Sequence, residues 1–190
     1  MTTLYITLGI LTIIALYVIM TYNSIIGLTN QVKNSWANVL VQEQQKQKII
    51  SKLMDSVKGY SEFESQLQTK ITELRSLTNS LSKESVEPNK LKEIENKTND
   101  MLRSIQVSVE NYPELKTNDL YQKLMEEITE QQENVGASLR IFNSNVNIHN
   151  SKIQSFPTNI VNGTLNKRQP VSMFDNQEAS QSIGFSPDNL

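Results

Sequence analysis

Hydrophobic positions recur along residues 25–81 with the spacing of a helix packed along one side. Apolar or aromatic residues stand at 25, 28, 32, 36 and 39, and again at 50, 53, 57, 60, 63, 67, 71, 74, 77 and 81. Counting positions 43 and 46 into the gap gives sixteen steps over 56 residues, a mean of 3.5, the period of helices lying side by side. Only Glu43 and Lys46 break the stripe. It contains no Pro, and Gly59 is its one internal Gly beyond Gly27, so the pattern predicts one very long helix. Such a stripe is not stable in water by itself, and later helices must fold back on it.

Between residues 76 and 89 the composition turns to Ser, Thr, Asn and Glu, which reads as a reversal, with Pro88 suited to a first helical turn. Leu91, Ile94, Thr98, Met101, Leu102, Ile105 and Val109 form a second stripe, ended by Tyr112-Pro113. A third comprises Leu120, Leu124, Ile128, Val135, Leu139, Phe142, Val146, His149 and Ile153. Thr117 or Asn118 can cap it, Asp119 suits its first turn, and Phe156-Pro157 stops it. From Pro157 the chain is polar with isolated hydrophobes such as Ile160, Leu165 and Phe174; a docked segment to about Asp175 and a disordered tail are expected.

Ahead of all this, residues 4–22 carry no charge and are dominated by Leu, Ile and Val, with Tyr5, Tyr17 and Tyr22 toward the ends. At 1.5 Å per residue the run spans roughly 28 Å, about one hydrocarbon core, and the tyrosines suit the interfaces. No basic side chain precedes it and no small-x-small site follows, so an uncleaved anchor in the lipid bilayer is favoured over a signal peptide. Lys33, with no acid before Glu43, places the following helices on the cytoplasmic side of a single-pass membrane protein.

Composition narrows the classes. The 190 residues suit one domain with attachments, and a net charge of -2 with pI near 5.5 argues against a nucleic-acid partner. The absence of Cys excludes disulfides and thiolate chemistry, and scattered glycines supply no phosphate cradle. His149, the one His, continues the third stripe and reads as a core or seam residue. Residues 110–133 carry Glu110, Glu114, Asp119, Glu126, Glu127, Glu130 and Glu133 against Lys116 and Lys123; without a Glu-x-x-His motif this is a solvated face, not a di-iron site. No residue is therefore named as catalytic, cofactor-binding or metal-ligating. Trp36 reads as a packing anchor, and Asn143 and Asn150, seven apart, are candidates for fixing interhelical register. Asn-x-Thr triplets at 96 and 162 read as chance matches to a glycosylation pattern.

Several separated runs occur together in order. They include Tyr22-Asn23-Ser24, Trp36-Ala37-Asn38-Val39, Val41-Gln42, Ile49-Ile50 and Asp55-Ser56-Val57-Lys58-Gly59-Tyr60. Later come Tyr112-Pro113-Glu114-Leu115-Lys116-Thr117-Asn118, Phe142-Asn143, Asn150, Ile153-Gln154 and Phe156-Pro157-Thr158-Asn159. Over roughly residues 20–175 the chain resembles the LemA family of bacterial membrane proteins. It departs where that family usually has Asp, Leu, an Arg pair and Pro, carrying Leu40, Glu43, Gln45-Lys46 and Ser51 instead. Phe142 and His149 stand where Tyr is usual, and the family's Thr-Glu-Asn segment is replaced near Gln131-Gln132-Glu133.

The expectation is an all-α chain: a transmembrane anchor at residues 1–22, an elongated antiparallel helical bundle at 23–160 and a polar, partly disordered tail at 161–190. Periodicity gives three long helices. The resemblance implies a four-helix bundle, whose fourth helix comes either from a break near Gly59 or from residues 158–175. The functional expectation is a non-enzymatic scaffold or protein-interaction module at the membrane, with a protein partner. The alternatives are a ligand-binding or sensory module with a pocket between helices and, behind it, an enzyme gathering acids around His149.

Overall fold

The computed structural model describes residues 1–56, 61–116 and 118–175. Among these the chain is all-α. Its helices are α1 (Thr2–Ser56), α2 (Ser61–Asn79), α3 (Pro88–Val109), α4 (Pro113–Lys116), α5 (Asp119–Gln154) and α6 (Thr158–Val161), followed by a π turn at Asn162–Asn166.

The single helix expected over residues 25–81 is not formed. Its stripe is shared between α1 and α2, which pack against each other: Gln47 donates to the carbonyl of Ile71, and Trp36 to that of Ser82 just past the end of α2. Of the two sources left open for a fourth helix, the earlier one supplies it, as α2 lying beside α1; Gly59 itself is outside the described residues. Residues 57–60, with the stripe positions Val57 and Tyr60, lie outside the described residues. At its other end α1 runs without interruption through the apolar 4–22 segment.

Local signals set the remaining ends. Pro88 occupies the first turn of α3, where its missing N–H costs nothing. The Asn118 side-chain oxygen caps α5, accepting from the N–H groups of Leu120 (2.9 Å) and Tyr121 (3.1 Å). In that first turn the stripe starts one residue later than the pattern suggests. Tyr121 is buried and Leu120 exposed, because Tyr121 falls three residues before Leu124 on the buried face.

The chain forms two compact units, Met1–Ser35 with Ile141–Met173, and Trp36–Arg140 with Phe174–Leu190. In the second, the later part of α1, α2, α3 and the earlier part of α5 bury one apolar cluster that includes Ile50, Leu53, Leu67, Ile71, Ile94, Ile105 and Ile128. All seven stripe positions of α3 are buried. Lys70–Ser104, Glu73–Lys97 and Ser80–Lys90 contacts in descending order make α2 and α3 antiparallel.

In the first unit α1 meets the end of α5 and the segment that follows it. Every residue of α1 before Thr21 is exposed except half-buried Val18; Thr21 and Ile25 are buried, as are Phe142, Val146, Ile153, Thr158, Val161 and Asn162. Two asparagines pin the chain after the π turn, each by both groups of its amide. Asn162 holds the N–H and C=O of Arg168 (both 3.0 Å), and Asn150 those of Val171 (2.9 and 2.8 Å).

Candidate functional site

The most unusual chemistry lies on the α1 stripe of the second unit, at the two positions that interrupt its hydrophobic pattern. With the 3.5-residue period, Glu43 and Lys46 fall inward, and both are 1% exposed. Lys46 Nζ lies 2.9 Å from Glu43 Oε1, one turn away on α1, and 2.9 Å from Glu95 Oε1 on α3. Two carboxyl groups thus share one ammonium in an apolar interior, where an uncompensated charge costs several kcal/mol.

Protonation resolves the imbalance. Burial pushes the Glu43 carboxyl up to about 8, against the pull of Lys46 and with the help of the neighbouring Glu95 charge. Burial works the same way on Glu95, but Lys46 and hydrogen bonding outweigh it and hold Glu95 below the ordinary carboxylate value. Burial alone would lower the Lys46 ammonium; the two acids reverse that and raise it. At neutral pH the cluster is one neutral acid, one carboxylate and one ammonium. Glu43 Oε2 is buried and accepts no hydrogen bond, as suits a carboxyl that is protonated rather than charged.

The first unit has a polar seam of a different kind. His149 is 1% exposed, with Nε2 3.3 Å from Thr29 Oγ1 and Nδ1 3.2 Å from Asn150 Oδ1. Because Val171 fixes the Asn150 amide, Oδ1 faces the ring as an acceptor and Nδ1 must carry a hydrogen. Nε2 lies against the oxygen of the Thr29 hydroxyl, whose hydrogen is donated to the Ile25 carbonyl at 2.8 Å. His149 is the seam residue its spacing suggests, with a polar contact at each nitrogen. Asn150 has a role the sequence did not reveal: it fastens the segment around Val171 rather than the register between long helices. Asn143 is half-buried on the same helix.

Trp36 is fully buried, and its indole N–H donates to the Ser82 carbonyl at 3.0 Å. On the acidic section, Glu110, Glu114, Asp119, Glu126, Glu130 and Glu133 are exposed and Glu127 half-buried, a solvated face. Among the described residues no three His, Asp or Glu side chains gather as a metal site. A groove of about 470 Å³, open to solvent, lies between α1 and α2 and is lined by Gln44, Gln47, Lys48, Ser51, Arg75, Thr78 and Asn79.

The sequence profile of the LemA family matches residues 35–185. This chain belongs to the LemA family. It is 30% identical over 132 residues to Protein LemA of Metamycoplasma hominis, an alignment that takes in 70% of this chain and 59% of that protein. The LemA resemblance and the buried cluster meet at one place. Of the departures from the family pattern, Leu40, Glu43 and Lys46 are all buried.

Proposed function

We propose that this LemA-family chain is a membrane-anchored, non-enzymatic helical protein that serves as a scaffold or protein-interaction module at the bacterial membrane. One observation carries the reading: α1 contains an apolar stretch of mean hydropathy 2.2 with none of it buried by the protein. In water that surface would be a severe liability; in hydrocarbon it needs no protein partner, and its helical backbone is satisfied internally. Lys33 is the first charged side chain of α1, which favours keeping the helices that follow on the cytoplasmic side. Alkaline carbonate washing of cell membranes tests the anchor: the full chain stays in the pellet, and a chain released to the supernatant would end the idea. Protease added outside spheroplasts should spare residues 30–160, whereas cleavage there without lysis reverses the side.

The groove between α1 and α2 favours a second reading, a ligand-binding module for a small anion. Lys48 and Arg75 line it with amide and hydroxyl groups and no acid, and Arg75 Nη2 reaches Ser51 Oγ at 3.1 Å. Equilibrium titration with inorganic phosphate discriminates the two, since binding lost in Arg75→Gln supports the module and no binding removes it.

A further inference from the structure

We infer that the turn after α5, residues 156–168, is a second membrane contact: a foot that rests in the headgroup region of an anionic bilayer beside the α1 anchor. The inference builds on the anchor proposed above and assigns a partner, lipid, to a surface distinct from it.

Three observations place the foot. The first is its level along α1. Full burial on that helix begins at Thr21, and the Asn166 side chain donates to the carbonyl of Tyr22 at 3.3 Å. The π turn is therefore held where the apolar 4–22 stretch ends. With that stretch in hydrocarbon, Tyr22 lies at the interface, and so does whatever is bonded to it.

The second is unexplained apolar exposure. Phe156 is 79% exposed, Ile160 58% and Leu165 53%, within ten residues of chain. These are not side chains on a loose end. Thr158, Val161 and Asn162 between them are buried, and Asn162 clamps Arg168 by both backbone groups. A segment that is pinned in place and still presents three large hydrophobes outward has the composition of an interfacial element.

The third is charge. The unit formed by Met1–Ser35 and Ile141–Met173 contains Lys33, Lys152, Lys167 and Arg168 and not one of the chain's 20 acids. Lys167 and Arg168 directly follow the π turn and are exposed. Basic side chains flanking apolar ones suit a surface of anionic headgroups over acyl chains, and their position beside the anchor puts that surface within reach.

Because the chain has no Cys, the test can use the full-length protein with one cysteine at a time carrying an environment-sensitive nitrobenzoxadiazole label. Leu11→Cys reports the anchor, Phe156→Cys, Ile160→Cys and Leu165→Cys the foot, and Val107→Cys, an exposed apolar position of α3, serves as the reference. The proteins are reconstituted in phosphatidylcholine vesicles with and without phosphatidylglycerol, and quenching by lipid bearing a nitroxide near its headgroup is measured. Labels at the three foot positions should shift to the blue and be quenched, at a depth of about 5–10 Å below the headgroups, while the label at 107 is not. The quenching should grow with phosphatidylglycerol, and Lys167→Gln with Arg168→Gln should remove that growth. If 11 is shielded in lipid while 156, 160 and 165 behave like 107, the foot is wrong and the anchor stands. If 11 also stays in water, the anchor reading falls and takes the foot with it.

Discussion

α1 contributes to two buried polar sites that solve the same problem differently. At Thr29 it meets His149 and Asn150 in a seam of hydrogen bonds, where each group can be satisfied by a neutral partner. At Glu43 and Lys46 it meets Glu95 in a cluster of ionisable groups, where satisfaction depends on protons and charges being counted correctly. The difference teaches how each site should fail. A neutral seam loses one hydrogen bond at a time, about 1 kcal/mol net each. The charged cluster fails as a whole, because removing one member strands the others in an apolar interior.

Lys46→Ala gives the largest expected effect. It leaves two buried acids without their cation and should cost about 3–5 kcal/mol, read by urea unfolding of the full chain in mild detergent. A loss under about 1 kcal/mol would show that water enters the cluster, and would erase the contrast between the sites.

The pH response follows next. Glu43 is raised from the ordinary 4.5 to about 8, so between these values the folded chain binds the proton that the unfolded chain has released. The stabilising contribution of the neutral acid is complete below pH 4.5 and is lost as pH rises toward 8. The expected slope within that window is at most about 1.4 kcal/mol per pH unit. Glu43→Gln, which keeps the shape and cannot ionise, should flatten the profile; an unchanged profile would place the titration elsewhere.

In the neutral site, Asn150→Ala removes two bonds to Val171 and one contact to His149, and should cost about 1–3 kcal/mol. Hydrogen exchange at the Val171 amide should accelerate with it. Thr29→Val removes the contact to His149 together with the back-bond to the Ile25 carbonyl, which adds little within a helix, and should cost about 1 kcal/mol or less. If that conservative change matched Lys46→Ala, the seam would be a cooperative network and not a set of separate bonds.

Much of this was legible in the sequence because spacing alone decides burial on an amphipathic helix. The α3 stripe is buried at every position, and Trp36, Phe142 and His149 lie on the inward face their periods assign. Spacing also placed Glu43 and Lys46 on the stripe, yet their chemistry read as an interruption. The overlooked signal was the i, i+3 pairing of opposite charges at two successive stripe positions. Glu95 was not legible: it follows Ile94 on α3, and nothing local marks a partner 49 residues distant. The division of the long stripe between α1 and α2 was hidden for a related reason, since two antiparallel helices joined in phase show the same 3.5-residue period as one. Asn150 was flagged for the right chemistry and the wrong partner, because a bond to the backbone of Val171 leaves no side-chain pattern.

Trp36 carries a practical consequence. As the chain's one tryptophan, it is the sole indole emitter, and its N–H is held by the carbonyl of Ser82 in the turn between α2 and α3. The protein therefore comes with an intrinsic optical gauge set at a single joint. Undocking of that turn would expose the indole to water and shift its emission to the red before the helices themselves melt. Fluorescence and circular dichroism recorded on one sample would then separate opening of the joint from loss of helix, with no label added.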